Sequence, residues 1–323
     1  MRQGIAALAL AVAVAAAGAQ AADPSWPSKA IRFVVPFPPG GGTDIASRAV
    51  TQRVAKNAGW SFVVENRPGS GGNLGADFAA KSPPDGYTFV MGQTSNLAIN
   101  PALYAKPPFD PIRDFAPVSL VSTVPLVIVG TAKKPWRTLG DVVAAAKQGA
   151  DRVSYASPGN GTVAHLAGEL LARSAGVKLL HVPYKGASPA LTDLVGGQVD
   201  LYISTPGPAA GHVKSGAIHA LAVTSPKRVA AMPQVPSVAE AGLAGAVVIN
   251  WYGVLAPAGT PAPAIERMNA EIQKALQAPE VREALAGEGG EVLGGTPAQF
   301  AEFLRAERDK WARVVKESGA KVD

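Results

Sequence analysis

The stretch Phe33-Val34-Val35-Pro36-Phe37-Pro38-Pro39-Gly40-Gly41-Gly42-Thr43-Asp44 constrains the fold more than any other part of the chain. A short apolar strand runs into a turn stiffened by three prolines and opened by three glycines, and a helix begins at Thr43 or Asp44. Glycines let the main chain approach a bound group. The first N–H groups of a helix lack internal acceptors, so together with the helix dipole they form a weak anion site. A carboxylate or a phosphate fits such a place. The same residues are equally consistent with a plain helix start, in which Thr43 or Asp44 is the cap and the glycines serve only the turn.

From this unit onward strands and helices alternate. Residues 31–35 read as a strand, and residues 44–58 as a helix with Ile45, Ala49, Val50 and Val54 on one face and a stop at Gly59. Residues 60–65 are a second strand, followed by the glycine-rich loop Asn66-Arg67-Pro68-Gly69-Ser70-Gly71-Gly72-Asn73 and a short helix to residue 80. A third strand at 87–91 ends in the polar run Gly92-Gln93-Thr94-Ser95-Asn96. Such alternation implies a mostly parallel sheet, with ligands collecting beyond the carboxyl ends of its strands.

At residues 115–130 the pattern changes to two near-continuous apolar runs, which mark the passage into a second lobe. Thr138-Leu139-Gly140-Asp141 has the spacing of a capping box and opens a helix to residue 147. A strand at 152–156 leads into Ser157-Pro158-Gly159-Asn160-Gly161-Thr162 and a helix over 163–175 with Leu166, Leu170 and Leu171 on its buried side. Two glycine-rich turns, far apart in the chain, thus each precede a helix, and both offer amides to one anion if their lobes face each other. Strands at 178–183, 198–204 and 217–224 and a helix at 190–195 complete this lobe. The strand 247–255, with Trp251 and Tyr252, is expected to return to the first lobe. Two amphipathic helices follow at 262–278 and 297–318, the second carrying Phe300, Phe303, Leu304, Trp311, Val314 and Val315 as a core-facing stripe. The expected division is residues 23–124 with 246–323 in one lobe and residues 125–245 in the other.

Residues 1–22 read as a secretory signal: Arg2, an apolar run over 5–17, and Ala19-Gln20-Ala21 before a cut after Ala21 or Ala22. No second long apolar run is present, so a periplasmic chain not embedded in the membrane is expected. Cysteine is absent from the whole sequence, which removes disulfides, thiolate catalysis and lipid anchoring through cysteine. The net charge of +6 is scattered over the chain without a stripe or interleaved aromatics, which speaks against a nucleic-acid partner.

Enzyme signatures are missing too: there is no G-x-S-x-G elbow, H-E-x-x-H or P-loop, and His165, His181, His212 and His219 lack metal-ligand spacing. Gly159-Asn160-Gly161-Thr162-Val163-Ala164 fits the dinucleotide pattern G-x-G-x-x-A, but the next strand ends in His181-Val182-Pro183-Tyr184-Lys185 without the carboxylate that holds the ribose. Neither a cofactor nor a metal is expected.

The chain resembles the Bug-type periplasmic receptors of the tripartite tricarboxylate transporter system over nearly its whole length. The resemblance is carried by Pro36 through Asp44, Glu65-Asn66-Arg67-Pro68-Gly69-Ser70-Gly71-Gly72, Pro84-Asp85-Gly86-Tyr87-Thr88, Gly161-Thr162 with His165-Leu166-Ala167, Val182-Pro183-Tyr184-Lys185-Gly186 and Gly197-Gln198-Val199-Asp200. It implies two α/β lobes of the periplasmic-binding-protein kind, joined by two crossing segments around a ligand cleft. It also implies that one carboxylate is gripped by Phe37, Pro38, Gly41, Gly42 and Thr43 in the first turn and by Ser157, Gly159, Gly161 and Thr162 in the second. Delivery of a small organic carboxylate to a two-component membrane permease is implied by the same resemblance, with the receptor as a monomer. Alternatives are a sensor that presents its ligand to a membrane receptor kinase and, more remotely, a nucleotide-dependent enzyme.

Individual side chains divide on this reading. Thr43 and Thr162 either donate hydroxyls to the carboxylate or cap their helices. Asp44 caps its helix or receives a ligand hydroxyl or amine, and His165 either faces the cleft or is packed. Thr94, Ser95, Tyr184 and Thr205 sit at strand ends, as candidates for the variable end of the ligand, and Ser157 supports its loop.

Overall fold

The computed structural model describes residues 26–149, 153–320 and 322. The export signal and its cleavage point at Ala21 or Ala22 lie outside them, as does Arg152 at the start of one expected strand.

The apolar runs at 31–35, 88–93, 115–125 and 127–131 are strands whose side chains are largely buried. The first sheet takes β1 (Ile31–Val35), β2 (Phe62–Asn66), β3 (Thr88–Gln93) and β4 (Phe115–Pro125), and the second takes β5 (Val127–Thr131), β6 (Ser154–Ser157), β7 (Leu180–Pro183), β8 (Leu201–Ser204) and β9 (Ile218–Val223). After β9 the chain returns to the first sheet through β10 (Ile249–Pro257) and the two-residue β11 (Glu291–Val292). The strand orders are β11-β4-β10-β3-β1-β2 and β7-β6-β8-β5-β9. Both sheets are mixed, which corrects the expectation of a mostly parallel arrangement. β1 is parallel to β2 and β3, and β6 to β7 and β8, but β5 and β10 run antiparallel to their neighbours on both sides. The antiparallel members are the strands that carry the chain between sheets, and a strand entering from the opposite lobe approaches from the opposite end.

The helices cover these sheets: α1 (Gly42–Ala58), α2 (Asn73–Ala80), α3 (Asn100–Leu103), α4 (Leu139–Lys147), α5 (Val163–Ala175), α6 (Ala187–Gly196), α7 (Pro206–Lys214), α8 (Ala262–Ala275), α9 (Pro279–Gly287) and α10 (Pro297–Ser318). The capping box at the start of α4 is formed, with Thr138 and Asp141 each holding the other's backbone amide. On α10, Phe300, Leu304, Trp311 and Val315 are buried with Trp251 of β10, and Phe303 and Val314 pack partly buried beside them. The stripe is therefore core.

Thr224 ties the two crossings together. The Leu126 N–H donates to its hydroxyl at 2.8 Å, the hydroxyl donates to the Val248 carbonyl at 2.6 Å, and its own backbone bonds both residues. One buried threonine thus links the outgoing and returning chain where the two lobes join.

Candidate functional site

A cavity of about 60 Å3 lies between the two sheets. Its wall is built from residues at and just beyond the carboxyl ends of β1, β3, β6 and β8, where the strand-to-helix turns of the two lobes meet. N-terminal residues of four helices open onto it: Gly42 and Thr43 of α1, Val163 and Ala164 of α5, Ala187 of α6, and Thr205 at the head of α7. Among the described residues, no Asp, Glu, Lys, Arg or His is in the wall. The helix ends that face it are each equivalent to roughly half a positive charge.

Among the expected residues, Phe37, Pro38, Gly41, Gly42, Thr43, Ser95, Thr162 and Thr205 line this cavity. Phe37, Pro38 and Thr162 also line an outer groove that holds Gly159 and Tyr184. The α1 turn is capped through the backbone alone: Gly41 is the N-cap, its carbonyl accepts from Asp44 and Ile45, and no side chain caps the helix. The amides of Gly42 and Thr43 are left without an acceptor among the described residues. At α5 the Thr162 hydroxyl is spent on the fold, donating to the Gly159 carbonyl at 2.7 Å and accepting from the His165 N–H at 3.3 Å. The Val163 N–H donates across to Ser95 Oγ at 2.9 Å, so a side chain of one lobe already engages the helix start of the other.

Asp44 points away from the cavity. Its carboxylate accepts from the Gly40 N–H, from Arg48 Nε at 2.9 Å and from Asn66 Nδ2 at 2.9 Å. Burial pushes its carboxyl up, but the bonds from Arg48, Asn66 and Gly40 outweigh that and hold it below the usual carboxylate range. It makes no cap bond and is not in the cavity wall; it fixes the turn, and Arg48 compensates its charge. Thr94 is also displaced from the wall, because its hydroxyl accepts from the buried Trp251 N–H.

His165 is packed, stacking on His181 with ring centroids 4.2 Å apart while Tyr155 stacks on the other histidine's ring. Burial lowers the pKa of His165, with Glu169 opposing, and burial followed by the neighbouring His165 takes His181 to about 3. Ser157 shares a 2.7 Å hydrogen bond with His181 Nε2 and holds Gly159, so it supports its loop without reaching the cavity. Gly161 faces the opposite lobe instead of the ligand space: a Cβ there would lie 2.7 Å from Asn100 Oδ1 and 2.9 Å from Tyr104 Cε2. The Tyr184 hydroxyl donates to Asp193.

A profile of the tripartite tricarboxylate transporter family receptors matches residues 46–320. This chain belongs to that family. BugT of Bordetella pertussis is 37% identical over 323 residues, covering 100% of this receptor and 99% of BugT. A solved R. palustris structure with adipate matches at a TM-score of 0.88 and 35% identity, covering 92% of this receptor and 99% of that chain. MatC from Rhodopseudomonas palustris with bound malate matches at 0.85 and 33%, covering 90% and 100%. The two-lobed periplasmic-binding-protein fold of this receptor is shared with both. Receptors of this family are periplasmic solute-binding proteins, and no helix among the described residues is long and apolar enough to cross a membrane.

Several wall residues of this receptor were not singled out from sequence: Tyr202, Ser204, Asn250 and Tyr252. Asn250 had a signal, as a lone amide inside the apolar run Val247-Val248-Ile249-Asn250-Trp251-Tyr252. The two tyrosines had none, since a tyrosine in a buried strand reads as core. Behind the wall sits Glu288, 1% exposed, facing the Thr205 hydroxyl and the Gly207 amide, while its Oε2 reaches no partner at hydrogen-bonding geometry. Burial raises its carboxyl above the ordinary range.

Proposed function

We propose that this receptor captures a small organic carboxylate in the interlobe cavity and delivers it to a two-component permease of the tripartite tricarboxylate type. One observation carries the reading: several helix N-termini converge on a cavity whose wall has no charged side chain. An anion is stabilised there by oriented amides already in place, and the wall itself presents no carboxylate to a cation. The free amides of Gly42 and Thr43 are the donors for one carboxylate, with Ala164 facing them across the cavity. Thr162 contributes through the helix it caps, its hydroxyl being committed. The adipate and malate held by the two structural relatives are of the same chemical class.

The lobes assigned to this function are residues 23–124 with 246–323 and residues 125–245, turning about the crossings that Thr224 links. The exported chain, freed of residues 1–22, acts as a monomer in the periplasm. A thermal-shift and calorimetric screen of organic acids against the purified protein tests the binding step. A carboxylate that raises the melting temperature and binds at one site per chain supports it, and silence across mono-, di- and hydroxycarboxylates overturns it. Loss of uptake of the same labelled acid from a strain lacking either the receptor or the permease genes tests the delivery step.

A further inference from the structure

Two side chains in the cavity wall are buried, polar and unpaired. Asn250 of β10 is 0% exposed, and neither its Oδ1 nor its Nδ2 has a hydrogen-bond partner among the described residues. Tyr202 of β8 is also 0% exposed, and its hydroxyl has none either. Each has a polar neighbour, Tyr252 for Asn250 and Ser204 for Tyr202, yet neither pair meets hydrogen-bonding geometry. Buried amides and hydroxyls without partners are costly and rare, so two of them lining one cavity from opposite lobes call for a bound group that completes them.

The kind of group is set by the donors and acceptors. An amide presents one acceptor and two donor hydrogens, and a neutral phenol both donates and accepts. Burial keeps the Tyr202 hydroxyl in its neutral form. A carboxylate or a ketone only accepts and would leave Asn250 Oδ1 unpaired. An ammonium only donates and would leave Nδ2 unpaired. A hydroxyl does both. A second carboxylate would add a like charge beside the first, in a cavity that Glu288 backs from beneath Gly42, Thr205 and Tyr252.

We propose that Asn250 and Tyr202 are specificity-determining residues that grip a hydroxyl on the ligand, so that this receptor selects small hydroxy-monocarboxylates over plain fatty acids and over dicarboxylates. The proposal rests on the carboxylate reading above: the helix ends hold the acid group, and the unpaired pair holds the hydroxyl. Sites built to bond a substrate hydroxyl reject analogues that lack it by large factors, because the site's own polar groups are then stranded.

The test measures dissociation constants by calorimetry for lactate, 3-hydroxybutyrate and 4-hydroxybutyrate, for propionate and butyrate as their deoxy counterparts, and for succinate. The best hydroxy acid is expected to bind about 100-fold tighter than its deoxy counterpart and than succinate. In Asn250→Leu and Tyr202→Phe the ratio to the deoxy acid collapses to within about threefold, while the deoxy acid binds as well as before or better. Circular dichroism and melting temperature establish that each variant is folded, and if Asn250→Leu is not, Tyr202→Phe decides alone. Equal binding of succinate and the best hydroxy acid, or an unchanged ratio in the folded variants, overturns the proposal and leaves the carboxylate reading standing. Binding of none of the acids overturns both.

Discussion

Replacing Gly71 by alanine separates closure of the lobes from their stability. Gly71 lies in the loop before α2 with φ 62° and ψ 26°, a left-handed conformation. A Cβ placed there would be 2.9 Å from the Asn160 carbonyl oxygen and 3.1 Å from the Gly161 carbonyl carbon, both backbone atoms of the opposite lobe, and 2.9 Å from Asn100 Nδ2. A side chain can swing aside, but a backbone carbonyl in a capped turn cannot. The left-handed alanine costs about 1 kcal/mol whether the lobes are together or apart. The contact with the 160–161 backbone exists only when they are together, and at overpacking costs of about 1–3 kcal/mol it weakens ligand affinity by roughly 5- to 150-fold. Gly59→Ala is the control, because Gly59 has φ 70° and nothing within 4 Å of its added Cβ. Calorimetry on both variants, with small-angle scattering to follow compaction on ligand addition, should show similar small losses in melting temperature and a loss of affinity in Gly71→Ala alone. Native affinity and native compaction in Gly71→Ala, or an equal loss in Gly59→Ala, would refute the claim that the Gly71 contact gauges closure.

Two further outcomes concern buried titratable groups. His181, held near 3 in the folded chain against an ordinary 6.5, binds fewer protons folded than unfolded between those values, so stability falls as pH drops from about 6.5 toward 3. Thermal melts across that range should show a shallower slope for His181→Gln, and an unchanged slope would mean that the imidazole stack does not stay neutral. Glu288 behaves in the opposite sense: its raised carboxyl favours the folded state while protonated and penalises it once pH rises past the folded value. Glu288→Gln should therefore melt higher than the native protein at pH 8, with the gap closing near pH 4. A lower melting temperature at pH 8 would show that the charge is compensated.

The local units were legible where a run of residues decides its own conformation. The helix at 163–175 has the bounds its sequence suggests, and the capping box of α4 forms as spaced, since both depend on contacts within a few residues. Helix α7 was not among the expected elements, because Pro206, Gly207, Pro208 and Gly211 are poor helix formers. In place, Pro206 occupies the first turn, where its missing N–H costs nothing. The antiparallel pairing of β5 and β10 was not readable, because it is fixed by the route of the chain between lobes. Nor was the fate of Asp44. Its partners Arg48 and Asn66 were visible in sequence, but only the folded turn shows that they meet on its carboxylate.

The same distinction explains why the binding motif looked ambiguous as a sequence. Capping and anion binding were posed as alternatives for Thr43 and Thr162, yet the two loops solve the problem differently. At α1 no side chain caps the helix, Asp44 is held off by Arg48, and the amides of Gly42 and Thr43 stay free. At α5 Thr162 is consumed as a cap and Val163 by Ser95, which leaves Ala164 as the free amide of its first turn. Capping therefore selects which amides remain for an anion instead of competing with the site as a whole. Gly42 shows how closely the selection is packed: a Cβ on it would lie 2.5 Å from Tyr252 Oη, 2.6 Å from Thr205 Oγ1 and 2.7 Å from Glu288 Oε2. A glycine at that position is required by the groups beneath the helix start, not by backbone conformation, and any side chain there would push the donor amides away from the cavity they serve.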